Sequence, residues 1–399
     1  MTDPSPIILD CDPGHDDAVA MLLAWGNPAV DLLAVTTVAG NQTLDKVTRN
    51  ALGVARAGGM DGLTVAAGAD RPLVGPQLIP EEIHGESGLD GPALPAPDRE
   101  VDPRHAVDLM ADILREREPG TVTLVPTGAL TNIALLTRMH PDVVDRVRQV
   151  VLMGGGHHTG NMTPAAEFNI LADPEAAALV FDAPWTVTMC GLDVTHKALA
   201  TPHFVRELTE IGTPLAGFVA ELLEFFGASY TRERGYPAPP MHDPVAVAAV
   251  IDPTLVRTVA APVAVETRGE HTRGMTVVDL RRTFDPEDPS SLLVRDTPGA
   301  VGAAGAGGTV EGTTATSPRP RPCGTGWPWT STSRGSTGSS STRSAPSGPP
   351  TWGDVTGGPA PPTPAGPRAP VDTPRRCRPA NGGPVDNPPA RPPVVRPVR

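Results

Sequence analysis

The stretch IILDCDPGHDDAVAMLLAW, residues 7–25, contains one complete strand–turn–helix unit. Its first five residues are mostly apolar, as in a strand that is covered on both faces of a sheet. Pro13 and Gly14 then predict a turn. Residues 16–25 carry apolar side chains at helical spacing. A short buried strand that turns directly into a helix predicts an α/β fold.

The same alternation of apolar runs and amphipathic stretches continues to about residue 280. The predicted strands are 7–11, 32–38, 63–67, 121–126, 150–153, 186–190 and 259–265. The predicted helices are 16–25, 44–57, 104–116, 130–138, 174–181, 214–229 and 244–250. This repetition predicts an open, mostly parallel sheet with helices on both faces. Ligands of such sheets bind at the carboxyl ends of the strands, so the loops that directly follow strands form the candidate site.

The composition changes near residue 297. The chain has 399 residues and a net charge of −13, but residues 297–399 lack Leu, Ile, Met, Phe, Tyr and Lys and hold 22 of the 49 prolines. A segment without large aliphatic side chains cannot bury enough apolar surface to offset the entropy lost on ordering. We therefore expect one catalytic domain over residues 1–296 and a disordered low-complexity tail over residues 297–399.

Composition also excludes several classes of protein. The sequence contains no run of 18 apolar residues, so it predicts no membrane span. The N-terminus lacks the features of a secretory signal. The four cysteines do not have metal-ligand spacing, so we expect a reducing, cytoplasmic compartment. Residues 1–296 carry 41 acidic and 21 basic side chains, which argues against a nucleic-acid surface. A small molecule is the expected partner.

Four aspartates lie within eight positions: Asp10, Asp12, Asp16 and Asp17. Acidic residues in a first helical turn are often only caps that interact with the helix dipole, which explains one or two of them. Four carboxylates in one desolvated loop repel one another and require a cation. Because every donor is an oxygen, Ca²⁺ or Mg²⁺ is favoured over zinc.

Two further polar groups are candidates. Asp243 precedes Pro244 at a predicted helix start, where it is a natural N-cap, and His242 beside it can deliver a proton near neutral pH. Asn161, Glu167 and Asn169 could bind vicinal hydroxyl groups as paired donors and acceptors, although an Asn near a turn is usually a turn residue.

The motif DCDPGHDDA at residues 10–18 resembles the opening signature of the nucleoside hydrolases, specifically the inosine–uridine-preferring group. The resemblance continues in unbroken order through TTVAGNQT (36–43), HGESG (84–88), VPTGALTNIA (125–134), VVLMGGG (150–156), AEFNILADPEAA (166–177), GLDVTH (191–196), HDP (242–244) and GMTVVDL (274–280). It implies an open α/β fold, a dimer or tetramer, and hydrolysis of a nucleoside to ribose and free base.

The resemblance also implies a role for each matching residue. One Ca²⁺ would be held by Asp12, Asp17, Asp243 and the backbone carbonyl of Thr127. The ribose would be bound by Asp16, Asn161, Glu167 and Asn169, with Asn41 and Met153 on the sugar side of the pocket. Asp12 would be the general base for the attacking water, and His242 would assist the departure of the base.

Two loop-like insertions, residues 70–100 and 229–243, could fold over this site. They contain His84 and Tyr230, which we expect to contact the substrate. The alternative for each is structural: a surface histidine and a packing tyrosine.

Beyond Leu280 the family pattern requires a last strand, with a consensus like Val-Ala-x-Asp-Val-Asp, and a helix that this sequence lacks. Reading the codons of residues 327–332 (WPWTST) one nucleotide earlier gives Ala and Asp at the second and fourth positions. We interpret the tail as the product of a frameshift between about residues 281 and 326. A natural disordered tail is the alternative. The gene sequence tests the frameshift, which is refuted if no single-nucleotide shift restores a strand and a helix.

Two other functions remain open at this point. Aspartate-nucleophile phosphatases also place Asp-x-Asp after the first strand and use Mg²⁺ with a covalent aspartate, but Lys46 and Lys197 are the only lysines and neither is placed for phosphate. The second alternative is an inactive, ribose-binding or misfolded paralogue that results from the aberrant C-terminus.

Overall fold

The structure is a computed structural model that describes residues 3–281 and the backbone of Val395–Pro397. The predicted domain boundary at residue 297, most of the tail and the proposed frameshift lie outside the described residues. Where the tail is described, its backbone forms a short strand instead of remaining without regular structure.

One parallel sheet organises the described part of the chain. Its strands are β1 (Ser5–Cys11), β2 (Val30–Thr37), β3 (Thr64–Ala67), β4 (Thr123–Pro126), β5 (Gln149–Met153), β6 (Val187–Cys190) and β9 (Val395–Pro397). Their order is β3-β2-β1-β4-β5-β6-β9, and every neighbouring pair is parallel. The predicted open, mostly parallel sheet is confirmed.

Helices connect the strands. They are α1 (His15–Gly26), α2 (Leu44–Ala57), α3 (Glu81–His84), α4 (Ala106–Glu116), α5 (Thr131–Met139), α6 (Phe168–Ala172), α7 (Pro174–Asp182), α8 (Leu192–Thr195), α9 (Pro202–Glu210), α10 (Pro214–Arg234) and α11 (His242–Ile251). Two 3-10 turns, Pro141–Arg146 and Pro253–Leu255, complete the set.

The core consists of two layers, one on each face of the sheet. Successive side chains of a strand point to opposite faces, so Ile8 packs with the layer under α4, α5 and α7, whereas Ile7, Leu9 and Cys11 pack with the layer under α1, α2 and α11. All four side chains are fully buried. Burial on both faces explains why the strands are apolar without strict alternation.

Several elements differ from the prediction, and two of them show why. The run 259–265 contributes only β7 (Val263–Val265), which pairs antiparallel with β8 (Thr276–Val278) in a separate two-stranded sheet. Because β7 is only partly buried, its apolar sequence does not mark a central strand. Helix α9 was not predicted, although Thr201 and Pro202 are a start signal: the Thr201 hydroxyl accepts a hydrogen bond from the Phe204 amide at 3.2 Å.

Within the described residues, no helix combines the length and the apolar character that a membrane span requires.

Candidate active site

The acidic loop connects β1 to α1 at the carboxyl edge of the sheet. Asp17 closes the start of the helix, because its Oδ2 accepts a hydrogen bond from the Gly14 amide at 3.0 Å. Its Oδ1 accepts a hydrogen bond from the Thr127 hydroxyl, which follows β4, at 2.8 Å. Both Asp12 and Asp17 are completely buried. The loop is thus fixed by the neighbouring strand end as well as by its own turn.

The Asp12 carboxyl group is closely packed against two glycines, Gly40 and Gly128. Its Oδ2 accepts a hydrogen bond from the Asn41 amide at 2.7 Å, whereas its Oδ1 is buried and has no hydrogen-bond partner. A Cβ added at Gly40 would lie 2.0 Å from Oδ2, and one added at Gly128 would lie 2.5 Å from Oδ1. Only residues without a side chain fit at these two positions, so the sequence around Asp12 holds its carboxyl group in one place.

Asp243, at the start of α11, joins this loop from more than 200 residues away. Carboxylate oxygens of Asp16, Asp17 and Asp243 lie within 4.8 Å of one another, and all three residues are buried. Asp12 lies outside that spacing, although its charge still acts on the same group. The closest cluster therefore contains Asp16, which the resemblance assigns to ribose.

The carboxyl groups of this cluster have no Lys or Arg side chain beside them among the described residues; the four are Asp12, Asp16, Asp17 and Asp243. In the described part of the chain, no Lys or Arg forms an ion pair with any of them. Burial and mutual repulsion raise the pKa values of Asp12 and Asp243 well above the ordinary value, and burial raises the pKa of Asp16 to about 7. Together with the unpartnered Asp12 Oδ1, this arrangement fits a bound divalent cation with oxygen ligands.

The cluster borders a cavity of about 250 Å³. Eleven of the thirteen predicted site residues line it: Asp16, Asn41, His84, Thr127, Met153, Asn161, Glu167, Asn169, Tyr230, His242 and Asp243. Asp12 and Asp17 lie behind this wall, completely buried. The structure thus brings together residues that are separated by up to about 230 positions in the sequence.

The polar wall after β5 is held by backbone hydrogen bonds. Glu167 caps α6: its Oε1 accepts from the Asn169 amide at 3.0 Å, and its Oε2 accepts from the amides of Gly155 and Ile170 at 2.8 and 3.1 Å. Burial nevertheless raises the pKa of Glu167 to about 7. The Asn169 side-chain Nδ2 donates to the Thr127 backbone carbonyl at 2.6 Å, which joins this wall to the carbonyl that the resemblance assigns to the metal.

A buried chain of hydrogen bonds contains His242. Its Nδ1 lies 2.8 Å from the Thr195 hydroxyl and its Nε2 lies 2.9 Å from the Tyr230 hydroxyl. Burial, followed by the charge of His196, lowers the pKa of His242 to about 3. The imidazole is therefore neutral near pH 7 and can act only as a hydrogen-bonding or relaying group together with Tyr230.

His84 reaches the cavity from α3, within the first loop-like insertion. Its Nδ1 lies 3.1 Å from Nδ1 of the buried His15, and its ring stacks on Phe226. Burial lowers the pKa of His84 well below the ordinary value and that of His15 to about 4. His84 is thus a buried, neutral side chain and not the surface histidine of the alternative.

Sequence reasoning missed several lining residues: Phe226, Arg234, Tyr236 and His196. The first three lie on or just after α10, which continues to Arg234, five residues beyond its predicted end. Asp10 was also left without a role. Its Oδ1 accepts from the Thr36 hydroxyl and the Asn132 amide at 2.6 and 2.8 Å, which ties β1 to β2 and α5 below the site.

Comparison with known proteins identifies the family of the chain that carries this site. Residues 7–299 match the model of the inosine-uridine preferring nucleoside hydrolases. The chain belongs to this family. It is 54% identical over 279 residues to the inosine-uridine preferring nucleoside hydrolase of Crithidia fasciculata, a match that covers 70% of this chain and 89% of that protein.

Other nucleoside hydrolases agree with this assignment. The chain is 50% identical over 290 residues to the pyrimidine-specific ribonucleoside hydrolase RihA of Photobacterium profundum, covering 72% of this chain and 93% of that protein. The solved structure of a purine-preferring ribonucleoside hydrolase from Gardnerella vaginalis superposes with a TM-score of 0.66 at 33% identity, covering 70% of this chain and 90% of that chain. The protein is therefore a nucleoside N-ribohydrolase, and the phosphatase alternative is wrong.

Proposed function

We propose that this nucleoside hydrolase cleaves purine and pyrimidine ribonucleosides with the help of one Ca²⁺ ion. The observation that carries the proposal is the buried carboxyl cluster beside the cavity, which forms no ion pair with a Lys or Arg of residues 3–281. Asp12, Asp17, Asp243 and the Thr127 carbonyl would hold the ion, and Asp16 lies close enough to share in its electrostatic field. When bound, Ca²⁺ supplies a Lewis acid that lowers the pKa of a water molecule and orients hydroxyl groups.

The protein's own groups then promote bond cleavage. Breaking an N-glycosidic bond builds positive charge on the ribose ring, which nearby carboxylates stabilise. Asp16, Glu167 and Asp243 are the carboxyl groups on the cavity wall, and Asn161 and Asn169 are placed to orient the sugar. Asp12 accepts the proton of the attacking water at Oδ1, the atom that has no hydrogen bond within the described residues.

The departing base gains electrons and requires a donated hydrogen bond or proton. The Tyr230 hydroxyl lines the cavity and is hydrogen-bonded to His242 at 2.9 Å. Because His242 is neutral and both of its ring nitrogens are engaged, we propose that the pair acts as one unit in which Tyr230 contacts the base and His242 orients and polarises its hydroxyl. His84 contacts the bound nucleoside, and Asn41 and Met153 shape the sugar side.

The decisive experiment measures ribose release from inosine and from uridine by the full chain, with a chelator and after Ca²⁺ is added back. We expect chelator-sensitive release that Ca²⁺ restores. Calorimetric Ca²⁺ titrations of Asp243→Asn and Asp252→Asn provide the matched pair, because these aspartates lie at opposite ends of α11. Only the first should lose binding. Chelator-resistant hydrolysis, or equal binding by both variants, would refute the metal role.

The same experiment tests the inactive-paralogue alternative, which predicts a folded chain that binds Ca²⁺ and releases no ribose. We further propose a homo-oligomer, a dimer or a tetramer, that functions in nucleoside salvage in the cytoplasm. The oligomer and the salvage role rest on the resemblance, and the cytoplasmic location rests on the cysteine usage. Light scattering tests the oligomer.

A further inference from the structure

The small sheet of β7 and β8 takes no part in the proposed reaction, although β8 lies within the motif GMTVVDL at residues 274–280. Val277 of β8 is exposed, whereas Thr276 at the start of the strand is buried. A buried hydroxyl group needs hydrogen-bond partners. The partners of Thr276 therefore show what the small sheet contacts.

The Thr276 hydroxyl binds both polar backbone groups of one residue. It donates to the Gly156 carbonyl oxygen at 2.7 Å and accepts from the Gly156 amide at 2.9 Å. A hydroxyl group has a single hydrogen to donate, so this one is committed to Gly156. Because Gly156 is buried, loss of the hydroxyl would take a partner from a backbone donor and a backbone acceptor that are shielded from solvent.

The preceding residue, Gly155, connects this contact to the cavity. Its amide donates to Oε2 of Glu167 at 2.8 Å, and Glu167 lines the cavity. Gly155 has a φ of 73°, in the left-handed region that favours glycine, and a Cβ added there would lie 2.8 Å from Cγ2 of Thr276. Thr276 thus packs against the turn that it also hydrogen-bonds, one residue from the amide that binds Glu167.

The small sheet is fixed to the helices that follow Glu167. Arg273, just before β8, forms two hydrogen bonds with the Glu175 carboxylate of α7, at 2.7 and 2.9 Å. A Cβ added at Gly274 would lie 2.9 Å from the Leu171 Cα in α6, so the backbones are in close contact there. These contacts hold β8 in place against α6 and α7, and Thr276 is therefore a fixed support for the turn.

We propose that Thr276 is a positioning residue whose hydroxyl fixes Gly156 and, through the Gly155 amide, holds the Glu167 carboxyl group in place against the ribose. A carboxylate stabilises positive charge in a transition state best when its position is set before the reaction. A turn that can move should therefore reduce kcat more than it affects substrate binding. The contact between Glu167 and ribose rests on the proposed function, whereas the contact between Thr276 and the turn does not.

The first test pairs two substitutions at Thr276. Thr276→Val keeps the branched shape and removes the hydroxyl, whereas Thr276→Ser keeps the hydroxyl and removes the methyl group. We expect Thr276→Val to lower kcat for inosine and uridine about tenfold, with a change in KM below about threefold. Thr276→Ser should retain kcat within about twofold, although both variants should melt at a lower temperature because each loses a buried group.

Thr137→Val is the control for loss of a threonine hydroxyl elsewhere. The Thr137 hydroxyl donates to the Ala134 carbonyl oxygen at 2.7 Å within α5, and Thr137 does not line the cavity. This variant should keep the wild-type kcat. Equal losses of kcat in Thr276→Val and Thr276→Ser, or an unchanged kcat in folded Thr276→Val, would show that Thr276 contributes packing alone.

The second test needs no substrate. Hydrogen exchange of the full chain, measured by mass spectrometry on peptides that cover residues 153–161, reports how firmly the turn is held. Thr276→Val should speed exchange there about tenfold, and Thr276→Ser should not. Unchanged exchange in Thr276→Val would overturn the proposal. If the wild-type chain releases no ribose, the proposed function fails, whereas the exchange measurement still decides whether Thr276 fixes the turn.

Discussion

Gly40 gives the sharpest test of how tightly the site holds Asp12. Replacing Gly40 with Ala would place a Cβ 2.0 Å from Asp12 Oδ2 and 2.9 Å from Asp12 Cγ, whereas real Cβ contacts essentially never fall below 3.0 Å. The Asp12 carboxyl group must therefore move by about 1 Å. It cannot move freely, because Gly128 also lies close to the carboxyl group, where an added Cβ would be 2.5 Å from Oδ1, and the Asn41 backbone amide donates to Oδ2.

A misplacement of about 1 Å at a catalytic group can reduce the rate about 100-fold, which corresponds to about 2.7 kcal/mol in activation free energy. We expect Gly40→Ala to lower kcat for inosine and uridine by this factor. The expected loss of folding stability is smaller, about 1–3 kcal/mol, as for other overpacked sites. Initial rates of ribose release measure the first quantity, and urea unfolding measures the second.

Gly217→Ala is the matched control. Gly217 lies in α10, and a Cβ added there would meet nothing within 4 Å. The same substitution should leave kcat unchanged and stabilise the helix by about 0.5–1 kcal/mol. If folded Gly40→Ala retains kcat within a factor of two of wild type, Asp12 is not the positioned base that we propose.

Three further predictions follow from the same contacts. Ca²⁺ at 100 times its Kd should stabilise the chain by about 2.7 kcal/mol, and a melting temperature that does not respond to chelator would contradict the metal site. Tyr230→Phe keeps the packing on Ile83 and Phe226 but removes the hydroxyl that contacts His242, so kcat should fall about tenfold or more with little change in KM; a pure KM effect would place Tyr230 in binding alone. Burial raises the pKa of Asp10 from 3.8 to about 7, so above pH 4 the unfolded chain releases a proton that the folded chain retains, and wild-type stability falls as the pH rises to 7. With chelator present, the free energy of unfolding of Asp10→Asn minus that of wild type should therefore increase by up to about 4 kcal/mol between pH 4 and pH 8. A difference that does not vary with pH would refute the raised pKa of Asp10.

Much of the sheet could be predicted because its strands are covered on both faces. Such strands have continuous apolar runs, and the order of runs and helices fixes a parallel topology through right-handed connections. β7 was wrongly predicted as a strand of the main sheet, because its apolar residues lie in a half-exposed two-stranded sheet. Helix α10 was predicted too short because its last turn is polar, and its end is marked by Gly235 in a left-handed conformation with φ of 69°.

The sequence predicted which residues form the site, but it did not predict which of them lie closest to one another. Motif order identified the carboxyl groups, and strand topology explains why they meet. Nothing in the sequence showed that Asp16, rather than Asp12, would join Asp17 and Asp243 in the closest cluster. The pairing of His15 with His84 joins residues 69 positions apart, and a buried histidine contact of that kind leaves no periodic signal.

The cavity wall is built from two kinds of segment, the loops at the edge of the sheet and the helices α3 and α10. The two kinds differ in how much sequence change they tolerate. Thr127 and Met153 lie at the ends of β4 and β5, and Asp16 lies in the first turn of α1, which follows β1; sheet hydrogen bonds and both core layers fix the strands at this edge. His84 and Tyr230 project from α3 and α10, which lie outside the sheet. Mutations at the positions of these helices that face the cavity can reshape the pocket without changing the sheet. Base selectivity can therefore diversify by mutation of the cavity-facing positions of α3 and α10 other than Tyr230, while the carboxyl groups beside the sheet stay in place, a division that suits the scaffold to focused mutagenesis.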